Sequence, residues 1–366
     1  MDWGMIAVIG GRVLVFLWGV WLVLRTLVSA TVSFVLPRSA PDPITRVVFL
    51  VVRRVFDLRT SRVQTYAERD RAMALYAPIS LLALPPVWLM LVGLGFAAMF
   101  WASGVGSPAM AFKVSGSSLL TLGFATVDGL GATMLAFIEA SIGLVLVALL
   151  IAYLPTMYAA FARRETAVTL LEVRAGSPPS AIEMFLRYQR IHNLGELGDL
   201  WARWELWFAD VEESHTSLAA LAFFRSPQPD RSWVTAAGTI LDAAALAAST
   251  LDIPHDARAD LCIRAGYVAL RRICDFFGIA YNAAPQPGDP ISITRAEYDA
   301  ACAELAAGGV PLKADREQAW RDFVGWRINY DTPLLTLAGL TMAPYALWSS
   351  DRGLRPARPK IRQKRG

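Results

Sequence analysis

The stretch Ser-Gly-Ser-Ser-Leu-Leu-Thr-Leu-Gly-Phe-Ala, residues 115–125, lies between two long apolar segments. The segment before it runs from about residue 78 to 101, and the segment after it from about 129 to 161. Each is long enough to cross the hydrocarbon core of a membrane, which needs about 20 apolar residues. Residues 102–128 are therefore predicted to connect two membrane-spanning helices on one side of the membrane.

The composition agrees with this prediction. The 366 residues are 55% hydrophobic and 18% charged, which favours a membrane protein with a sizeable soluble part. A further apolar segment within residues 5–36 is too long for a signal peptide and is predicted to be an N-terminal spanning helix. The three cysteines have no Cys-x-x-Cys spacing, and no arrangement of a nucleophile and a base is specific enough to indicate an enzyme. We expect neither a zinc site, nor a cofactor, nor enzymatic activity.

Basic residues predict the orientation, because loops rich in arginine and lysine stay on the cytoplasmic side. The connection 38–76 holds eight arginines against four acids, and Arg163 and Arg164 follow the last apolar segment. Both regions are predicted to be cytoplasmic, so residues 102–128 face outward. Within the connection, residues 44–58 are predicted to form an interfacial amphipathic helix, either as an anchor or as a coupling element.

The run Thr121-Leu122-Gly123-Phe124 resembles the selectivity filter of the potassium-channel superfamily, whose usual form is Thr-Val-Gly-Tyr-Gly. The order of elements also resembles the two-transmembrane pore-loop type, in which an outer helix, a re-entrant pore helix with its filter, and an inner helix follow one another. The resemblance implies that backbone carbonyls of Thr121, Leu122 and Gly123 bind a monovalent cation, K⁺ or Na⁺, in place of its hydration shell. It also implies a homotetramer, because one chain supplies only one pore loop.

Two residues near the filter depart from the family pattern. Ala125 stands where the second filter glycine belongs, and a side chain there would strain a left-handed backbone. Ser117 lies four positions before Thr121, where the family has a glutamate or a small residue. These departures put strict potassium selectivity in doubt. The alternative to a channel is a membrane sensor or scaffold with a closed, channel-like fold.

Residues 129–163 are predicted to form one inner helix of about 50 Å, longer than the membrane is thick. Gly143 is either a gating hinge or a packing glycine. Pro155 is expected to kink the helix near its cytoplasmic end. An apolar sleeve that closes by dewetting is predicted to line the lower pore. Its candidate residues are Leu146 or Val147, Leu150 or Ile151, and Leu154.

Glu139 is the single acid of the third apolar segment. A carboxylate at that depth is costly and normally has a partner or faces a water-filled cavity. We expect a buried hydrogen bond to pore-helix groups such as Ser117 or Ser118, which would support the filter from behind. The alternative is a ring of four carboxylates that faces the ions.

The remainder of the chain is predicted to be a cytoplasmic helical bundle with a basic tail. Helical periodicity covers residues 180–224, 232–251, 257–277, 294–307 and 313–330. The polar residues between Glu212 and Arg231 either bind a regulatory ligand, of unknown identity, or form ordinary salt bridges. The tail is predicted to touch anionic lipid headgroups, and no nucleic-acid partner is expected.

The sequence thus predicts an all-α, multi-pass protein of the cell (inner) membrane, with a potassium-channel-like pore domain and a cytoplasmic bundle. The predicted function is passive, potassium-preferring cation conduction by a homotetramer, gated by the bundle. The predicted divisions are a transmembrane helix (1–36), an amphipathic linker (37–77), the pore domain (78–164), the cytoplasmic domain (165–350) and a disordered tail (351–366).

Overall fold

The computed structural model describes residues 3–34, 42–60 and 65–352, so most of the predicted basic tail lies outside the described residues. Within these ranges the regular secondary structure is helical, helices are joined by turns and loops, and the β-structure is limited to one isolated bridge between Leu251 and Leu312. The α-helices are α1 (Trp3–Phe34), α2 (Pro43–Thr60), α3 (Tyr66–Met73), α4 (Tyr76–Ala102), α5 (Pro108–Leu119), α6 (Leu130–Ala175), α7 (Ala181–Arg190), α8 (Gly198–Ser217), α9 (Trp233–Ser249), α10 (Ala257–Phe277), α11 (Arg295–Ala307), α12 (Arg316–Arg327) and α13 (Asp331–Thr341). Short 3₁₀ helices cover Leu194–Glu196 and Ala219–Phe223.

Three helical stretches of the described chain are long and apolar enough to cross a membrane: Met5–Phe34, Glu68–Ala102 and Leu130–Ala175. They coincide with the three predicted spans, and with the helical remainder they have the architecture of an all-α membrane protein. Between the second and third lies α5, whose 12 residues are too few to span. Ser107 caps it by accepting a hydrogen bond from the backbone N–H of Met110.

The chain packs as two compact units. The first comprises Met1–Val63 and Ala72–Ala159, and the second comprises Gln64–Arg71 and Ala160–Gly366. Helix α6 begins in the first unit and ends in the second, as one continuous helix of 46 residues, or about 69 Å. It therefore extends twelve residues beyond the predicted end at residue 163, and Pro155 lies inside it without ending it.

Small residues bring the helices of the first unit close together. A Cβ atom added to Gly19 on α1 would lie only 2.5 Å from the carbonyl oxygen of Gly95 on α4. Close backbone approach at glycine is a common way for membrane helices to pack. On another part of α4, Tyr76 makes edge-to-face contacts with Phe49 and Phe56 of α2. The predicted amphipathic helix is therefore packed against α4 along one face.

The second unit is built around α9. Nearly every residue of this alanine-rich helix is buried, which requires neighbouring helices on all sides. Helices α7, α8, α10, α12 and α13 supply those neighbours. The predicted helical run 180–224 is divided into α7, α8 and the two 3₁₀ helices. The first break lies at His192, whose φ of 53° is left-handed and cannot continue a right-handed helix.

Candidate functional site: the loop after α5

Helix α5 ends in a tight turn that leads into the predicted filter. The N–H of Thr121 donates to Ser118 O at 3.0 Å, and the N–H of Leu122 donates to Ser117 O at 2.8 Å. Thr121 has a φ of 54° and Gly123 a φ of 71°. A left-handed conformation is natural for glycine and unfavourable for threonine. The chain therefore reverses direction at the start of the predicted filter, at a strained residue.

Ser117 fixes the far end of this loop to α5. Its buried hydroxyl accepts a hydrogen bond from the N–H of Ala125 at 3.0 Å and donates to the carbonyl oxygen of Ala125 at 3.2 Å. Ala125 is not among the residues with positive φ, so the strain expected there is absent. Thr121 carries the left-handed turn instead, and this allows Ala125 to return to Ser117 with an ordinary backbone conformation.

The predicted filter residues lie on the surface of the single chain. Thr121, Leu122, Gly123 and Phe124 are exposed, and Ala125 is half-buried. Phe124 leaves 66% of its surface exposed, and Leu122 of the same loop leaves 60%. The loop is therefore fixed along its inner side, by Ser117, and open along its outer side.

Glu139 is buried against α5, but its partner is not one of the two expected serines. Its Oε1 atom lies 2.5 Å from the hydroxyl of Ser115, which in turn lies 2.8 Å from the carbonyl oxygen of Gly93 on α4. Residues 115 and 117 point about 200° apart around a helix, so Ser115 faces α4 and α6 while Ser117 faces the loop. Ser118 is half-buried and makes no side-chain hydrogen bond within the described chain.

Because Glu139 is fully buried inside one chain, its carboxyl group does not point outward as a ring of ion-facing carboxylates would require. The sequence therefore predicted correctly that Glu139 is buried against α5, but not which serine it contacts. Helical periodicity places Ser115 on one stripe with Ala111 and Val114, but it does not tell which face of α5 meets α6.

Gly143 is a packing glycine in this structure. A Cβ atom added there would lie 2.2 Å from the carbonyl oxygen of Leu119, the last residue of α5. The absence of a side chain thus lets α6 pass directly beside the end of α5. Of the two interpretations left open by the sequence, this distance favours close packing over a hinge.

The candidate lower-pore residues divide into two sets. Leu146 has 2% of its surface exposed and is part of the core of the chain, so it does not belong to a surface shared between subunits. Val147, Ile151 and Leu154 are exposed, with Pro155 beside them, while Leu150 is half-buried. Their spacing of four and three residues places the exposed three on one face of α6.

The polar residues between Glu212 and Arg231 do not form one site. Each turns to a different neighbour: Glu212 to Arg272, His215 to Arg164, Arg225 to Asp70, Asp230 to Ser177 and Arg231 to Glu172. These are separate structural ion pairs and hydrogen bonds. These pairs could not be predicted from the sequence, because the two residues of each pair lie 50 or more positions apart.

Arg225 forms the contact that we call the clasp, made of Tyr66, Asp70, Arg225 and the carbonyl oxygens of Thr341 and Met342. The guanidinium pairs with the carboxylate of Asp70 and donates to Thr341 O at 2.9 Å and to Met342 O at 3.3 Å. The Tyr66 hydroxyl donates to Met342 O at 3.2 Å. The clasp therefore holds residues 66–70 against the rest of the second unit.

No family model, curated protein or solved structure matches this chain.

Proposed function

We propose that this chain is one subunit of a homotetrameric channel that passes monovalent cations, with a preference for potassium. One observation carries the proposal: a short helix and a serine-fixed loop stand between two membrane-length helices. This is the order of outer helix, pore helix, filter and inner helix in the potassium-channel superfamily, which the run from Thr121 to Phe124 resembles. One loop cannot surround an ion, so four chains around an axis are needed.

The chemistry assigned to the loop is that of backbone carbonyls. K⁺ enters a filter when carbonyl oxygens replace its water, and Na⁺ follows where the carbonyl spacing is relaxed. Ser117 supports this role because it fixes Ala125 relative to α5. The exposed apolar row of Val147, Ile151 and Leu154 supplies a surface that lines the lower path or meets a neighbouring subunit.

Gating is assigned to the second unit, which includes both the end of α6 and the clasp segment. A rearrangement of the bundle would pull on the inner helix through α6 and on the outer helix through α3. This arrangement needs no voltage sensor and no bound nucleotide.

The second candidate is a non-conducting membrane sensor or scaffold. Ala125 favours it, because this residue stands where the channel family has its second filter glycine. Both candidates share the same fold and differ only in whether the loop admits ions.

Cation flux decides between them. The full chain is reconstituted into liposomes, and reversal potentials are measured under potassium and sodium gradients for the wild type, Ser117→Ala and the matched control Ser118→Ala. We expect a potassium-selective current in the wild type. Ser117→Ala, which loses both hydrogen bonds to Ala125, is expected to lose most of its current or its selectivity, whereas Ser118→Ala keeps both.

A flux that is equal in Ser117→Ala and Ser118→Ala would contradict the role of Ser117. No cation flux in the wild type, together with none in an Arg225→Gln variant whose clasp is released, would favour the sensor or scaffold.

A further inference from the structure

The hydroxyl of Ser115 has more acceptors than it can serve. A serine hydroxyl carries one hydrogen and two acceptor lone pairs. The Ser115 oxygen lies 2.5 Å from Glu139 Oε1 and 2.8 Å from Gly93 O, within hydrogen-bonding distance of both. A carbonyl oxygen and an ionised carboxylate both only accept. Two hydrogen bonds therefore require a second hydrogen, and the carboxyl group of Glu139 is the one group of the three that can carry it.

Within the described part of the chain, the surroundings of Glu139 contain no charge that would stabilise a carboxylate. Its side chain is fully buried, and its second oxygen, Oε2, has no hydrogen-bond partner among the described residues. Helix α4 carries no Asp, Glu, Lys, Arg or His, and its Tyr76 lies at the far end from Gly93. On α5 the one charged side chain is Lys113, which is exposed, and Asp128 of the loop is exposed as well. On α6 the nearest titratable residue is Tyr153, fourteen positions away.

A charge in such a place is expensive, because a buried carboxylate loses its hydration and no cationic side chain of the described residues lies beside it. A neutral carboxylic acid avoids this cost and supplies the missing hydrogen. The chain of hydrogen bonds then runs in one direction, from Glu139 on α6 to Ser115 on α5 and from Ser115 to Gly93 O on α4.

We propose that Glu139 is held as a neutral carboxylic acid that pins α6, α5 and α4 together behind the loop, and that loss of its proton releases this pin. In the ionised state, the carboxylate and the Gly93 carbonyl would compete for the single hydrogen of Ser115. One buried acceptor would be left without a partner, which weakens the contact between α5 and its neighbours. The proton thus acts as a ligand of the loop region, and alkaline pH removes it. This inference does not depend on conduction.

Two close approaches make the pin sensitive to such a change. A Cβ atom on Gly93 would lie 3.6 Å from the Ser115 hydroxyl and 3.3 Å from the side chain of Leu119. Gly143 lies one turn beyond Glu139 on α6 and touches Leu119 O. A carboxylate that attracts water into this region would therefore disturb the same helix end from which the loop starts.

Infrared spectroscopy of the full chain in bilayers tests the protonation directly. A protonated carboxyl group has a C=O stretching band well separated from that of a carboxylate. We expect the difference spectrum between the wild type and Glu139→Gln at pH 7 to contain one such band. The matched control, Asp128→Asn, removes an exposed acid of the loop and is expected to leave that band unchanged.

A second readout follows stability against pH. The apparent melting temperature of the wild type is expected to fall by several degrees between pH 7 and pH 10, and that of Glu139→Gln to fall less, because glutamine keeps a donor for Ser115 at every pH. If the two proteins show the same pH dependence, the pin is not released by loss of a proton and that half of the proposal fails.

The absence of the carboxylic acid band in the wild type at pH 7 would overturn the proposal that Glu139 is a neutral carboxylic acid. Should Glu139→Gln fail to fold, Ser115→Ala replaces it. A neutral Glu139 that loses its acceptor gives a shifted C=O band in that variant, whereas an ionised Glu139 gives none. If the proposed channel conducts, its flux should decline at alkaline pH in the wild type and persist in Glu139→Gln. If the carboxylic acid band is present at pH 7 and disappears at alkaline pH, but no flux is measured at any pH, the channel proposal fails and the proposal for Glu139 stands.

Discussion

His215 is a buried histidine whose neutral form is fixed by its neighbour. Its Nε2 atom lies 3.2 Å from Nη1 of Arg164, and a guanidinium only donates, so the imidazole nitrogen must accept. Arg164 also donates to Leu221 O at 2.8 Å and to Phe224 O at 2.7 Å. Burial lowers the pKa of His215 well below its usual value of 6.5, and the charge of Arg164 lowers it further.

Acid should therefore destabilise the second unit through His215. The unfolded chain takes up a proton at this histidine below about pH 6.5, while the folded chain does not, so stability falls as the pH drops below that value. The expected loss is about 1.4 kcal/mol per pH unit. The measurement is the apparent melting temperature at pH 7.5, 6.0 and 5.0 for the wild type and His215→Gln, whose side-chain oxygen can still accept from Arg164.

His215→Gln is expected to show a shallower decline than the wild type. His255→Gln, at an exposed histidine, serves as the control and should follow the wild type. Identical slopes for all three proteins would show that His215 takes up its proton equally in the folded and unfolded chain, so that burial does not keep it neutral.

The two serines of α5 illustrate how far single residues can be predicted. Ser117 could be singled out because its position relative to Thr121 matches a family pattern, and its contact with Ala125 is local in sequence. Ser115 required knowledge of which face of α5 meets α4 and α6. That face depends on the packing of three helices, which no short motif encodes.

At the scale of elements, the junction of α5 and α6 depends on the missing side chain at residue 143. Replacing Gly143 by alanine would place a methyl group 2.2 Å from Leu119 O, so the two helices must separate. Overpacking of this kind costs about 1–3 kcal/mol. We expect a clear fall in the melting temperature of Gly143→Ala in detergent or bilayers.

Gly131→Ala is the matched control, since this position on α6 has no atom within 4 Å of an added Cβ, and alanine favours a helix. Its stability is expected to equal or slightly exceed that of the wild type. If Gly143→Ala is as stable as the wild type and only its flux changes, Gly143 is a hinge rather than a packing residue.

The spans were predictable because length and apolarity define them, and the three predicted segments match the three long helices. The end of α6 was not predictable, because the apolar run stops near Phe161 while the helix continues to Ala175. Val168, Leu171 and Ala175 recur at helical spacing and enter the core of the second unit. Near Phe161 the helix changes from uniformly apolar to amphipathic. This change in sequence pattern resembles the end of a helix, although the helical backbone continues.

For the whole molecule, the clasp is the contact that residue patterns could not reveal. Asp70 and Arg225 are 155 positions apart in the sequence. Neither residue belongs to a motif, and in the sequence Arg225 is simply one of the polar residues between Glu212 and Arg231. Only the fold brings it to the segment between α2 and α4.

Arg225→Gln should free that segment. It removes an ion pair whose side chains are about one-tenth exposed, together with hydrogen bonds to Thr341 O and Met342 O. Hydrogen bonds to charged groups are worth about 1.5–3 kcal/mol. We expect amide hydrogen exchange of α3 to become about 10–100-fold faster, measured by mass spectrometry on the reconstituted protein.

Arg321→Gln provides the comparison, since Arg321 is exposed and its nearest acid, Glu317, lies 3.5 Å away on the same helix. Its α3 exchange should equal that of the wild type. Equal exchange in Arg225→Gln would mean that the clasp contributes nothing to holding α3.

The clasp also sets an order of events during synthesis. Residues 65–71 leave the ribosome well before Arg225, and Thr341 and Met342 follow later still. At about 5–20 residues per second, the segment waits on the order of 10 s for its arginine. The neighbouring apolar helices can enter the bilayer in that interval. The clasp therefore closes only after Thr341 and Met342 have been synthesised, and a nascent chain that stalls before residue 225 leaves Asp70 without its arginine.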